Sequence, residues 1–188
     1  MSGAASTSPA TRPGRVGWEV RRARTEDVPA VAAAVVELLI ELGGTPPSRA
    51  AIEAEASAHV ADPSLGIVLV AVPNEVRSQF SAVSAENCER TVGEGELVGV
   101  LTASWARAVQ IAGRMLTIEV LWTRHDLRGE GVGAALVEAL AAQAAAEGVE
   151  RVEVGLPREG FAALPATERF YLTNGFERIG PRMRRSVA

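Results

Sequence analysis

Lysine is absent from this chain of 188 residues, so all 19 of its basic side chains are arginines. The loop that binds nucleoside triphosphates normally needs a lysine beside its second glycine. A Schiff base with pyridoxal phosphate or with a carbonyl substrate needs a lysine amine as well. The composition therefore excludes the standard phosphate-loop lysine and any lysine Schiff base.

Cysteine and histidine are almost as scarce, because Cys88, His59 and His125 are the only ones in the sequence. A single cysteine cannot form an intramolecular disulfide, and these residues cannot supply a cysteine and histidine cage for zinc. The sequence therefore predicts chemistry that uses no metal or that draws its reactivity from a bound ligand.

Long apolar runs and an excess of positive charge are also missing. No run of about 18 apolar residues exists to span a bilayer, and a formal charge of -4 with a pI near 5.3 argues against nucleic acid as the main partner. Residues 1–17 are rich in small residues and proline but lack the apolar core of a secretory signal, which predicts a disordered leader. We expect no nucleic-acid partner, no membrane partner and a cytoplasmic location.

Length and hydrophobic content predict one domain over residues 18–188, because a chain with 47% hydrophobic residues can bury a substantial core. Thr25 is predicted to cap the first helix. The predicted strands cover 18–23, 66–72, 97–110, 115–123, 152–156 and 176 onward, and the predicted helices cover 25–42, 48–61, 132–147 and 165–173. This order predicts an α/β fold with a mixed, mostly antiparallel sheet flanked by helices.

Residues 73–95 interrupt this order with a polar stretch that lacks clear periodicity. A connection of this length inside a compact domain is unusual. The sequence leaves two interpretations open, a lid over a site or a disordered insert.

The stretch LWTRHDLRGEGVG, residues 121–133, joins an apolar strand to a glycine-rich turn and then to an alanine-rich helix. Gly129, Gly131 and Gly133 allow the backbone to come close to a ligand, and the first N–H groups of the helix point positive charge at an anion. Arg128 adds a guanidinium suited to phosphate oxygens. This is a phosphate-binding layout. A dinucleotide fold is disfavoured, because its glycine motif normally lies on the first strand of a βαβ unit.

The pattern from Arg128 to Gly133 resembles the pyrophosphate loop of the GNAT N-acetyltransferase superfamily, whose usual form is (Arg/Gln)-x-x-Gly-x-(Gly/Ala). The resemblance continues through the strand at 152–154 and the stretch ERFYLTNGFE, residues 168–177, which looks like the tyrosine-bearing helix of that family. It implies a GNAT-like fold and acetyl-CoA as a cosubstrate. In this resemblance the strand residues that pair with the pantetheine arm and the turn residues that bind the diphosphate are Leu121, Trp122, Thr123, Arg128, Gly129, Glu130, Gly131, Val132, Gly133 and Ala134.

Two side chains stand where the family places its proton-transfer groups. Tyr171, the only tyrosine in the chain, matches the residue that protonates the departing thiolate, and its alternative is a core tyrosine whose hydroxyl meets a polar group. Glu119 matches the residue that takes the amine proton, and we expect partial burial to raise its pKa. Strand alternation places Glu119, Leu121 and Thr123 on one face. The alternative for Glu119 is a salt bridge to an arginine such as Arg114.

The resemblance implies an N-acetyltransferase that transfers acetyl to a primary amine of a small molecule by direct attack in a ternary complex. Two alternatives remain open, an acetyltransferase for protein N-termini or lysines and a non-catalytic acyl-CoA sensor. Leu164 stands where some members carry an asparagine that contacts coenzyme A, so that contact must be absent or come from backbone. A homodimer is compatible with such a domain, although no sequence feature requires one.

Overall fold

The computed structural model describes residues 17–74 and 96–180 as a single α/β domain. Its strands are β1 (Trp18–Arg22), β2 (Gly66–Pro73), β3 (Gly99–Ala108), β4 (Gly113–Thr123) and β5 (Val152–Val154), and its helices are α1 (Val28–Glu41), α2 (Arg49–Ala61), α3 (Val132–Ala146) and α4 (Leu164–Thr173). The five strands form one sheet in the order β1-β2-β3-β4-β5. Neighbours from β1 to β4 are antiparallel, and β5 is parallel to β4. The predicted fold class is confirmed.

The described residues differ from the sequence prediction at two places. Thr25 does not cap a helix with its side chain but begins a 3-10 turn, Thr25–Asp27, after which α1 starts at Val28. Residues 176–180 form no strand, and the rest of the predicted terminal strand lies outside the described residues. The leader, apart from Gly17, and residues 75–95 of the insert also lie outside them, so both remain predictions.

Asp27 explains the shifted helix start, because its carboxylate has stronger local partners than the Thr25 hydroxyl. It accepts the Arg24 N–H at 2.7 Å and two hydrogen bonds from Arg21 at 2.6 and 3.0 Å. Burial alone would raise the pKa of Asp27, but the Arg21 and Arg24 hydrogen bonds outweigh it and hold that pKa below its usual range. The contact fixes the start of α1 against β1.

Helices cover both faces of the sheet, and the alternate residues of β2 pack against different helices. Ile67, Leu69 and Ala71 belong to a cluster with α3, whereas Val68 and Val70 belong to a cluster with α1. Because alternate residues of a strand face opposite sides, a strand between two helical layers is apolar throughout. This accounts for the continuous apolar run from 66 to 72.

A bulge interrupts the pairing of β3 with β4 at Glu119. Thr102 pairs with Val120 while Ala103 pairs with Ile118, so Glu119 is an extra residue without a partner on β3. Ile118 and Leu121 both pack with the α3 cluster, whereas a regular alternation would place them on opposite faces. Leu121 and Thr123 follow the bulge and alternate regularly, but strand alternation does not assign Glu119 to their face, because the alternation is interrupted at the bulge.

The described helices are short compared with the thickness of a membrane. The longest helix, α3, has 15 residues, and within residues 17–74 and 96–180 no helix has the length and apolar content that crossing a bilayer requires.

Candidate active site

The turn between β4 and α3, residues 128–134, is called the donor turn here. Gly129 and Gly131 have φ values of +81° and +99°, a region that residues with a Cβ rarely adopt. Gly133 meets a different restriction, because a Cβ on it would lie 3.3 Å from the Phe170 ring of α4. Each glycine of the motif thus has a backbone or packing reason to be glycine, and Gly133 brings α4 close to the donor turn.

The first turn of α3 presents backbone N–H groups that the helix itself does not use. The first bond across the helix start runs from the Ala135 N–H to the Gly131 carbonyl at 3.0 Å. Val132, Gly133 and Ala134 precede that residue, and their N–H groups find no backbone acceptor among the described residues. Together with the dipole of α3, these groups form a site suited to an anion.

One edge of β4 is open next to this anion site. Residues Leu116–Ile118 pair with β5, whereas Leu121, Trp122 and Thr123 pair with β3 alone among the described residues. The bulge at Glu119 lies where the pairing with β5 stops. Strand backbone with a free edge can pair with an extended amide-bearing chain.

The side chains of this part of β4 serve packing. Trp122 is 6% exposed and packs with the α1 cluster, and Leu121 packs against the α3 cluster. The indole Nε1 of Trp122 is buried without a hydrogen-bond partner in the described part of the chain. Their predicted contribution to a ligand is therefore through backbone atoms.

Tyr171 lies in α4, which packs against the donor turn through Phe170. Its ring is buried and contacts Phe170 and Phe176 edge-on, with centroid distances of 5.1 and 5.2 Å. Among the described residues its hydroxyl forms no hydrogen bond, and burial raises the pKa of Tyr171 to about 12. The phenol is thus neutral at physiological pH and holds its proton more tightly than an ordinary tyrosine, whose pKa is about 10.

Glu119 is exposed at the bulge of β4, and the partial burial expected for it is not found. Arg114 does not pair with Glu119, since it contacts Glu147 at 3.4 Å and lies 4.5 Å over the Trp105 ring. The salt bridge to Arg114 is therefore not formed. Glu119 remains a solvated carboxylate beside the open edge of β4.

Arg128 begins the donor turn, but its side chain points at α1. Its Nη1 and Nη2 donate to the Glu41 carboxylate at 2.7 and 2.6 Å, and its Nε donates to the Thr123 carbonyl at 3.3 Å. The hydrogen bonds from Arg128 lower the pKa of Glu41. The sequence did not predict that Glu41 pairs with Arg128, although an acidic residue in the last turn of a helix is opposite to the dipole preference and signals a partner elsewhere.

The remaining candidates contribute no further group to this site. His125 is exposed in a 3-10 turn, His125–Leu127, and Leu164 is the first residue of α4. Cys88 lies outside the described residues. Over 17–74 and 96–180, no three histidine, cysteine, aspartate or glutamate side chains converge as metal ligands would.

The sheet carries the anion site and the open edge of β4 side by side. The profile of the acetyltransferase (GNAT) family matches residues 74–176, more than half of the sequence. The chain therefore belongs to the acetyltransferase (GNAT) family. The matched region includes Glu119, the donor turn and Tyr171, whereas Glu41 precedes it. A search of curated proteins finds no match to this sequence.

Solved structures with the same fold come from proteins of low sequence identity. A predicted acetyltransferase with acetyl-CoA from Clostridium acetobutylicum is 13% identical, with a TM-score of 0.64 and coverage of 90% of this chain and 96% of the other. A ribosomal-protein-alanine N-acetyltransferase from Brucella melitensis biovar Abortus 2308 is 15% identical, with a TM-score of 0.62 and coverage of 92% of this chain and 100% of the other. An aminoglycoside acetyltransferase in complex with sisomicin, from an uncultured soil metagenomic sample, is 14% identical, with a TM-score of 0.62 and coverage of 91% of this chain and 97% of the other.

Proposed function

We propose that this protein is an acetyl-CoA-dependent N-acetyltransferase that acetylates a primary amine of a small molecule in a ternary complex. The observation that supports this most directly is the combination of free N–H groups at the start of α3 with the open edge of β4 beside them. The first suits a diphosphate and the second suits the amides of a pantetheine arm. Acetyl-CoA has both chemical parts in one molecule and supplies an activated thioester.

The donor is held by backbone atoms in this proposal. The N–H groups of Gly131, Val132, Gly133 and Ala134 receive the diphosphate, while Leu121–Thr123 lie along the arm. An N–H of this strand segment polarises the thioester carbonyl, and such a donor typically stabilises the transition state by several kcal/mol. Glu130 and Gly129 shape the turn.

Tyr171 and Glu119 divide the two proton transfers. The amine nitrogen forms a bond to the acetyl carbon, the carbon–sulfur bond breaks, and the thiolate receives the proton of the Tyr171 phenol. Glu119 accepts the proton that the amine loses, directly or through water. The high pKa of Tyr171 keeps the phenol protonated before reaction, but a thiol with a pKa near 8.5 is then a weaker base than the phenolate. Tyr171 therefore needs a bound cosubstrate nearby that makes its ionised form less costly.

An amine panel tests the reaction. Purified protein with acetyl-CoA should release free thiol in the presence of an accepted amine, and Tyr171→Phe should lower kcat about a hundredfold while the Kd of coenzyme A changes little. Thr167→Val is the matched control, because it removes a hydroxyl from the same helix where that hydroxyl bonds only to the Ala163 carbonyl.

The panel also separates the alternatives. It includes small polyamines and aminoglycosides, amino acids, and peptides with a free N-terminus or a lysine. Turnover with peptides alone would replace the small-molecule acceptor with a protein acceptor. Coenzyme A binding without turnover on any amine, together with equal loss of affinity in Tyr171→Phe, would support a non-catalytic sensor and contradict the proposal.

A further inference from the structure

The ion pair between Glu41 and Arg128 joins the end of α1 to the donor turn across 87 residues of sequence. Both terminal nitrogens of Arg128 donate to the two carboxylate oxygens of Glu41, at 2.7 and 2.6 Å. The third nitrogen, Nε, donates to the Thr123 carbonyl at 3.3 Å. All the nitrogens of this guanidinium are thus directed at protein oxygens.

The end of α1 is a firm anchor for that carboxylate. Gly43 has φ of +71°, its N–H donates to the Ile40 carbonyl at 2.8 Å, and the Gly44 N–H donates to the Leu39 carbonyl at 2.9 Å. This pair of bonds is the Schellman arrangement, which satisfies the last carbonyls of a helix. Glu41 therefore projects from a helix end that is already fixed by its own backbone.

The position of Glu41 is unfavourable for α1 taken alone. A carboxylate in the last turn of a helix meets the negative end of the helix dipole. Arg128 offsets this, because its hydrogen bonds keep the pKa of Glu41 low and the carboxylate charged. The stabilising partner lies in the donor turn and not in α1, which connects the placement of Glu41 to the turn.

We propose that Glu41 is a positioning residue for the donor turn, because it fixes the Arg128 side chain and thereby the N–H groups that receive the diphosphate. This inference rests on the proposed function. Arg128 stays paired with Glu41 and does not bind the diphosphate itself. Thr123 and Glu41 hold the start of the turn from two sides, which limits the backbone freedom that Gly129 and Gly131 introduce.

Glu41→Gln tests the anchor, because glutamine keeps the size of the side chain but loses the charge and one acceptor. We expect coenzyme A to bind about three- to tenfold more weakly, and the KM for acetyl-CoA to rise by the same factor. The value of kcat at saturation should stay within about twofold, since the groups assigned to proton transfer lie on β4 and α4.

Glu37→Gln is the matched control. Glu37 lies one turn earlier on the same helix, is exposed, and contributes to the electrostatic field at Arg128 without bonding to it. The substitution changes the net charge by the same amount but leaves the bidentate contact intact. We expect its Kd for coenzyme A to remain that of the unsubstituted protein.

Hydrogen exchange tests the anchor without any ligand. The N–H groups of Glu130 and Ala135 are bonded within the turn, to the carbonyls of Leu127 and Gly131. Their exchange should become faster in Glu41→Gln. It should slow again in the double variant Glu41→Arg with Arg128→Glu, which restores the pair with reversed charges. Fast exchange in the double variant would overturn the anchor.

The binding measurements separate this inference from the proposed function. If the unsubstituted protein binds no coenzyme A, the proposed function fails, while the exchange experiment still decides the anchor. If coenzyme A binds and Glu41→Gln binds it equally well, Glu41 has no positioning role. Tighter binding by Glu41→Gln would also overturn the inference, because it would mean that Glu41 competes with the diphosphate for Arg128.

Discussion

Gly131 shows how one residue can be required by conformation and by ligand at the same time. Its φ of +99° leaves the backbone in a region that costs a residue with a Cβ roughly 1–2 kcal/mol, and its N–H belongs to the proposed anion site. Gly148, after the other end of α3, has φ of +69° and open space around it. The two glycines therefore share a backbone restriction but differ in their distance from the site.

Alanine at these two positions separates stability from binding. We expect Gly131→Ala and Gly148→Ala each to lower the free energy of unfolding by about 1 kcal/mol, measured by urea denaturation. Gly131→Ala alone should weaken coenzyme A binding, by about tenfold or more, because the strained turn moves its N–H groups. Equal affinities of the two variants in calorimetry would argue against binding at the donor turn.

Tyr171 allows a direct spectroscopic prediction, because it is the only tyrosine in the chain. Its pKa of about 12 in the folded protein lies above the unfolded value near 10. The folded state thus holds the proton more tightly, so this group's contribution to stability is complete below about pH 10 and is lost as the pH rises toward 12.

Ultraviolet titration of the phenol checks this value. In the folded, ligand-free protein the absorbance change of phenolate formation should be centred near pH 12, and in concentrated urea it should be centred near pH 10. Tyr171→Phe, which has no phenol, gives the baseline. A folded-state midpoint near pH 10 would show that the hydroxyl is solvated, contrary to the burial described.

At the scale of elements, glycines made some helix boundaries predictable from the sequence, whereas side-chain contacts hid others. The predicted start of α3 at Val132 and end of α4 at Thr173 agree with the structure, because Gly131 and Gly175 take positive φ beside them. The start of α1 was misplaced, since Asp27 bonds to Arg21 and Arg24. The Glu41–Arg128 pair could not be predicted, because no local pattern links residues so far apart.

The bulge in β4 could not be predicted from the sequence either, because the period-two pattern assumes that every strand residue has a partner on the neighbouring strand. Removing Glu119 would leave Ile118 next to Val120, and these pair with the neighbouring residues Ala103 and Thr102. The side chains on either side would keep their faces while the extra residue and its bend disappear. The bulge therefore serves the direction of β4 and is not needed for the pairing itself.

Deletion of Glu119 and the substitution Glu119→Gln test the bulge and the carboxylate separately. We expect the deletion variant to fold with nearly unchanged stability but to bind coenzyme A about tenfold more weakly, because the open edge of β4 is straightened toward β5. Glu119→Gln keeps the bulge, so its affinity should be unchanged while kcat falls at neutral pH. Tight binding by the deletion variant would mean that the bend does not shape the donor site.

At the scale of the whole molecule, the sheet separates two packing layers, and the site lies along β4, next to the edge strand β5. The cluster with α3 supports the donor turn from one side, and the cluster with α1 supports Trp122 from the other. The composition and order of elements were sufficient to predict this α/β architecture, because apolar runs such as that in β2 require cover on both faces.

Ligand binding at a site built from β4, α3 and α4 should stabilise the whole domain, because these elements share one core. At a coenzyme A concentration about 100 times its Kd, the folded state gains about 2.7 kcal/mol. For a domain of this size each kcal/mol corresponds to about 2–4 °C, so the Tm should rise by about 5–10 °C in thermal unfolding. Adenosine at the same concentration is the control, and it should shift the Tm little because it has neither diphosphate nor pantetheine. Equal Tm shifts with coenzyme A and adenosine would mean that the protein recognises the adenine base, and not the diphosphate at the donor turn.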